Sequence, residues 1–187
     1  MSWREPIRRC LVAAFALAVL AACGSEESVV GPTAGAQGSE AAGPRKIATE
    51  RLYSVADLKA AGLKLGKTYD TDGLPGATGA ALMFFRQKDI EIRLFPSHEV
   101  AVSDGIPIAR EIVGSAAVIQ AGSVTWDKAI GDQRACAPGN LGGGRDCTRQ
   151  PKYGDFVTVG NLIILCEGRV AEDSAALCQE IVSLLPQ

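Results

Sequence analysis

The chain has 187 residues, with 19 Lys and Arg against 21 Asp and Glu, one His and six Cys. That length holds one ordinary domain and excludes a large multidomain enzyme. A formal net charge of −2 excludes the broad basic footprint on which nucleic-acid binders depend.

The first nine residues contain Arg4, Arg8 and Arg9, and the apolar run Leu11 to Ala22 follows. Twelve apolar residues fall short of the roughly 20 that span hydrocarbon as a helix. A basic start, a short apolar stretch and small residues at its end form an export signal, which is left out of the fold. The stretch closes on Leu20-Ala21-Ala22-Cys23, which resembles the lipobox of bacterial lipoproteins, with Cys23 in the modified place. The resemblance covers the export segment alone. It implies diacylglyceryl transfer to the Cys23 thiol, cleavage before Cys23 and acylation of the new amino terminus. Gly24, which is not Asp, implies no retention at the inner membrane of a two-membrane cell. The expected location is extracytoplasmic: the outer membrane where the cell has one, otherwise the outer face of the cytoplasmic membrane. Two or more acyl chains give stable anchoring where one is marginal.

Residues 1–22 carry three Arg and one Glu, so the processed chain keeps 16 cations and 20 carboxylates. That mildly acidic mean predicts no attraction to anionic headgroups, leaving the lipid on Cys23 as the membrane partner. From Gly24 to Glu50 the chain is rich in Gly, Ala, Ser and Glu and has no aromatic residue. So little apolar surface cannot offset the entropy of ordering, which predicts a tether over 23–50, with a coil span of about 30 Å. A single domain is expected over 51–187.

Within that domain Ser54 and Gly62 bracket a short helix as N-cap and C′ residue. A turn-rich stretch, Asp70 to Gly79, leads to strands Ala81–Phe85 and Ile90–Phe95, a hairpin across Gln87-Lys88-Asp89. The second strand alternates with period two, so one face is expected to be wet. A helical segment runs from His98 to about Val113, with Gly105 and Pro107 expected to break or kink it. Ser115 to Trp126 is apolar and β-branched, which predicts a further strand. Residues 127–153 are a Gly-rich excursion. Phe156–Val159 and Leu162–Cys166 form a hairpin turned at Gly160-Asn161, and the last helix runs from about Glu172 to Leu185. This order predicts an α+β two-layer sandwich, a mainly antiparallel sheet with helices on one face, arranged as two ββα halves.

Of the cysteines, Cys10 leaves with the signal and Cys23 is lipidated. Cys136, Cys147, Cys166 and Cys178 remain, an even number that reads as two disulfides in one of three connectivities. The preferred pairing joins Cys136 to Cys147 around a ten-residue loop and Cys166 to Cys178 between the last strand and helix. No Cys-x-x-Cys occurs, so a redox pair or zinc knuckle has little support.

Catalytic signals are sparse. His98 is the sole histidine, and its neighbours Ser97 and Glu99 point away from it in any regular backbone, so they form no relay. Asp70-Thr71-Asp72-Gly73 matches half of a calcium loop, but Thr68 and Gly79 stand where carboxylates are needed, which leaves an Asx turn. The glycine clusters lack the spacing of a phosphate cradle. No cofactor or metal is implied. Arg134, Arg145 and Arg149, with Lys152, gather cations around the excursion, and Trp126 and Tyr153 bracket it. These are the expected contacts for an envelope protein or a small ligand. The expected function is a non-enzymatic binding module anchored at the cell envelope. Two alternatives stand beside it: an envelope hydrolase using scattered carboxylates (Asp70, Asp72, Glu91 and Asp155), and a purely structural lipoprotein.

Overall fold

The structure is a computed structural model that describes residues 45–136 and 149–187. Cys23, most of the expected tether, Arg145 and Cys147 lie outside the described residues. The first element is a short strand, β1 (Arg45–Ile47), inside the stretch expected to be tether. Helix α1 (Val55–Ala60) starts at a capping box, in which Ser54 accepts from the Asp57 amide and Asp57 accepts from the Ser54 amide. It stops where Gly62 takes a φ of +94°.

Strand β2 (Lys64–Tyr69) was masked in the sequence by its polar composition. It pairs with β3 (Gly79–Phe85), which pairs in turn with β4 (Lys88–Leu94). The β3–β4 turn is Arg86-Gln87, at φ 49° and 64°. This is the doubly left-handed turn whose twist suits a two-residue hairpin, one residue earlier than expected.

A continuous helical segment then comprises α2 (His98–Val100), a π-helical turn (Ala101–Gly105) and α3 (Ile106–Arg110). Of the break or kink expected at Gly105 and Pro107, the break does not occur, and a π turn ends at Gly105. The π turn bonds the Ile106 amide to the Ala101 carbonyl, and Pro107, which has no N–H to continue that pattern, sits in the first turn of α3.

Ser115 to Trp126 is not a strand. Gly114 and Gly122 turn the chain at φ 88° and 81°, and Val118 is exposed while Ile119 and Trp126 plug separate gaps. β5 (Arg134–Cys136) and β6 (Arg149–Pro151) pair antiparallel at the base of the excursion. β7 (Tyr153–Val159), β8 (Leu162–Glu167) and α4 (Ala171–Leu184) complete the chain.

The fold is α+β. The six-stranded sheet has the order β1-β7-β8-β4-β3-β2, antiparallel except for the β1–β7 pair. Helices α1 and α4 cover one face over Met83, Ile90, Ile92, Leu162 and Ile164. Opposite them, the 98–110 segment and the chain after it pack on Phe95, Phe156, Ile163 and Leu165. Helices on one face therefore describes α1 and α4, and the other face is covered as well. Each hairpin is followed by a helix, as expected of two ββα halves, but the two helices go to opposite faces. A rotation normal to the sheet cannot superpose them.

Gly105 explains how close the second layer sits. A Cβ there would lie 2.5 Å from both Ile163 Cδ1 and Phe95 Cζ. On the α1–α4 face the Cys166–Cys178 disulfide ties β8 to α4 as expected. Cys136 is also disulfide-bonded. Among the described residues no helix is long and apolar enough to cross a membrane.

Candidate functional site

β4 supplies the centre of the site. Its alternation sends Ile90 and Ile92 toward α1 and α4, and Glu91 and Arg93 to the other face. That face was expected to be wet, yet both side chains are fully buried. Arg93 Nε donates to Glu91 Oε1 at 2.8 Å, and Gln133 Nε2 donates to Glu91 Oε2 at 3.0 Å. The Arg93 guanidinium lies 5.1 Å from the Trp126 ring centroid, a stacking arrangement that suits a weakly hydrated planar cation.

The polar network continues outward on both sides. Trp126 Nε1 donates to the Asp70 carbonyl at 3.1 Å, and its ring meets Tyr69 edge-on at 5.7 Å. The Tyr69 hydroxyl donates to Asp132, which also pairs with Lys67 at 2.5 Å. Burial opposes ionisation of Asp132, but the bonds from Lys67 and Tyr69 outweigh it and hold the carboxyl below its usual range. Burial, and then Asp132, push the Tyr69 phenol well up. On the other side Lys152 pairs with Asp89, its amide donates to the Gln133 carbonyl at 2.9 Å, and Asp89 N donates to Glu167 at 2.7 Å. Both feet of the excursion, 126–136 and 149–153, are thus fastened to the sheet by charge and hydrogen bonds.

A cleft of about 360 Å³ opens beside the β5–β6 hairpin, lined among others by Lys88, Cys136, Lys152, Tyr153, Glu167 and Arg169. A second of about 290 Å³ lies next to it and shares Gln150 and Pro151, with Arg134, Arg149 and Val118 in its wall. Among the described residues the two walls together hold five cations and one carboxylate. Such an arrangement can receive an anion, and Glu167 accepts from Lys88 and the Asp89 amide.

A family model matches residues 54–187, most of the chain. The chain belongs to DUF6810, a family of unknown function. The DUF6810 match begins at Ser54, the cap of α1, so it takes in both clefts and the buried Glu91–Arg93 pair and leaves out β1. No curated protein and no solved structure matches this DUF6810 chain.

The residues singled out in the sequence divide into three groups. Arg134 and Arg149 line the second cleft, where Arg134 also donates to the Ile119 carbonyl at 2.9 Å. Trp126 and Tyr153, which could serve as binding anchors or as core, are each only 1% exposed. They form the floor under the excursion, because aromatic bodies of that size fill the space between its feet and the sheet. Of the carboxylates in the hydrolase alternative, Asp155 and Glu91 lie on opposite faces of the sheet. Asp155 faces the cleft beside Val157 and Cys178, on the α4 side, while Glu91 faces the excursion. Asp70 accepts from the Asp72 amide at 2.9 Å in the expected Asx turn. His98 Nδ1 lies 2.9 Å from the Gly160 carbonyl, which can only accept, so this nitrogen carries the proton. Among the described residues no three His, Cys, Asp or Glu side chains gather as metal ligands. Arg93 and Gln133 were missed in the sequence. The signal available was the charged pair Glu91-x-Arg93 on one face of a strand whose other face is apolar.

Proposed function

We propose that this protein is a lipid-anchored, extracytoplasmic interaction module of the bacterial envelope, and that it binds its partner at the paired clefts beside the β5–β6 hairpin. The observation that carries the binding part is the cleft pair itself. An excursion fastened at both feet presents Arg134, Arg149 and Lys152 around concave surface to which Lys88 and Arg169 add from the sheet side, on a chain whose total charge is negative. The buried Cys166–Cys178 bridge supports an oxidising compartment, and Leu20-Ala21-Ala22-Cys23 supports the anchor.

Native, non-reducing mass spectrometry of the protein taken from its own membrane in mild detergent tests this reading. The expected result is a chain beginning at acylated Cys23 that carries added mass from a bound ligand or protein. A chain that retains residues 1–22, or one with an unmodified Cys23, overturns the anchor. An acylated chain with no added mass at any detergent concentration counts against the binding role.

A further inference from the structure

The acidic mean charge of the chain conceals how its cations are placed. We infer that the end of the sheet carrying the paired clefts is a membrane-facing surface that binds anionic lipid headgroups; this rests on the anchored reading above. Three observations converge on it.

The first is direction. β1 runs parallel to β7 with Arg45 opposite Val157, so the chain enters the sheet from the side of Tyr153, where β7 begins and the larger cleft opens. The end of the sheet at which the described chain begins is therefore the end that carries the larger cleft.

The second is charge. Among the described residues of the two cleft walls, Arg134, Arg149, Lys152, Lys88 and Arg169 stand against Glu167 alone. Lys88 and Lys152 have carboxylate neighbours, whereas Arg149 and Arg169 are exposed and have no carboxylate within ion-pair distance among the described residues. Headgroup phosphates match both guanidinium groups in geometry as well as sign.

The third is exposed apolar surface at the same end. Val170 follows Arg169 directly and is 50% exposed, and Val118 stands in the wall of the Arg134–Arg149 cleft at 62% exposed. Cations interleaved with exposed aliphatic side chains suit the headgroup boundary, where one kind meets phosphate and the other the acyl edge.

The test uses the processed chain with Cys23→Ser, so that no lipid contributes, sedimented with vesicles of pure phosphatidylcholine or of phosphatidylcholine and phosphatidylglycerol in a 3:1 ratio. The expected result is partition onto the phosphatidylglycerol vesicles alone, weakening as salt rises. Each cation near such a surface is worth about fivefold in partition, so Arg149→Glu/Arg169→Glu lowers it at least tenfold. The control Lys46→Glu/Lys59→Glu changes exposed charges outside both clefts and leaves binding within about threefold. Far-UV dichroism checks that all variants fold. Equal partition on both vesicle types, none on either, or equal losses in the two double variants would overturn the inference. An acylated native Cys23 alongside any of these results leaves the anchor standing and removes only the headgroup contact. An unmodified Cys23 alongside phosphatidylglycerol-dependent partition does the reverse.

Discussion

Arg93 and Glu91, two residues apart on the same strand, form an ion pair from which water is wholly excluded, with Arg93 Nη2 2.7 Å from Glu91 Oε1. Two charges taken out of water are stable only while both are present. The pair also receives Gln133 from the far side of the excursion, so it links the centre of the sheet to the surface element that shapes the clefts.

Arg93→Ala is expected to destabilise the fold by about 3–5 kcal/mol, since it leaves the Glu91 carboxylate buried without its counter-charge. The double variant Glu91→Met/Arg93→Met should recover most of that loss. Urea titrations of the three proteins check this, and a double variant as unstable as Arg93→Ala would show that the pair is not the source of the effect.

Gly105→Ala places a methyl group against Ile163 and Phe95, in a layer with no room to yield. A loss of about 1–3 kcal/mol is expected from overpacking. Gly131→Ala, at a site with nothing within 4 Å, should lie within about 1 kcal/mol of the parent. Thermal melts of both variants side by side provide the comparison.

Cys166 and Cys178 are 12 residues apart, and opening their bridge with Cys166→Ala/Cys178→Ala should cost about 2–3 kcal/mol. The loss should appear in the denaturation midpoint under non-reducing conditions. With a reductant that opens the parent bridge, the difference between parent and variant should nearly vanish.

Two carboxylates bend the pH dependence of stability in opposite directions. The Ser54 hydroxyl and amide, and then Arg51, lower the Asp57 pKa from 3.8 to about 2. Its contribution is therefore complete above about pH 4 and is lost as pH falls toward 2, so Asp57→Asn should be less stable at pH 6 and equal to the parent near pH 2. Burial raises Asp155 above its usual value, so the folded chain holds that proton longer than the unfolded one. Stability from this group falls as pH rises, and Asp155→Asn should gain on the parent at pH 7 relative to pH 4. Denaturation midpoints at these pH values test both signs.

Local signals made much of the fold legible. The Ser54 cap, the Gly160-Asn161 turn and the apolar face of α4 each depend on residues close in sequence, and each is where the pattern placed it. Strands β1 and β2 were hidden because edge strands need no apolar alternation. Lys64 to Thr68 is exposed throughout. The burial of Glu91 and Arg93 was invisible for a different reason. The residues that cover them, Trp126 and Gln133, come from more than 30 positions away, and no local period encodes a partner that arrives from elsewhere. The same long-range closure decides between anchor and core for Trp126 and Tyr153, which form the floor. The clefts were legible only as a gathering of cations around a Gly-rich stretch.

The parallel β1–β7 pair also bears on how the molecule would respond to mechanical load. A pull on the chain upstream of Arg45, if directed along β1, would shear its hydrogen bonds together, instead of peeling them one at a time. With three residues in register, β1 is still the shortest strand of the sheet and would yield first, while the disulfide holds α4 to β8 at the sheet's interior. Release of residues 45–52 would lengthen the connection by about 25 Å. The domain would then extend its reach before it unfolds, which a force–extension trace would record as a short first step.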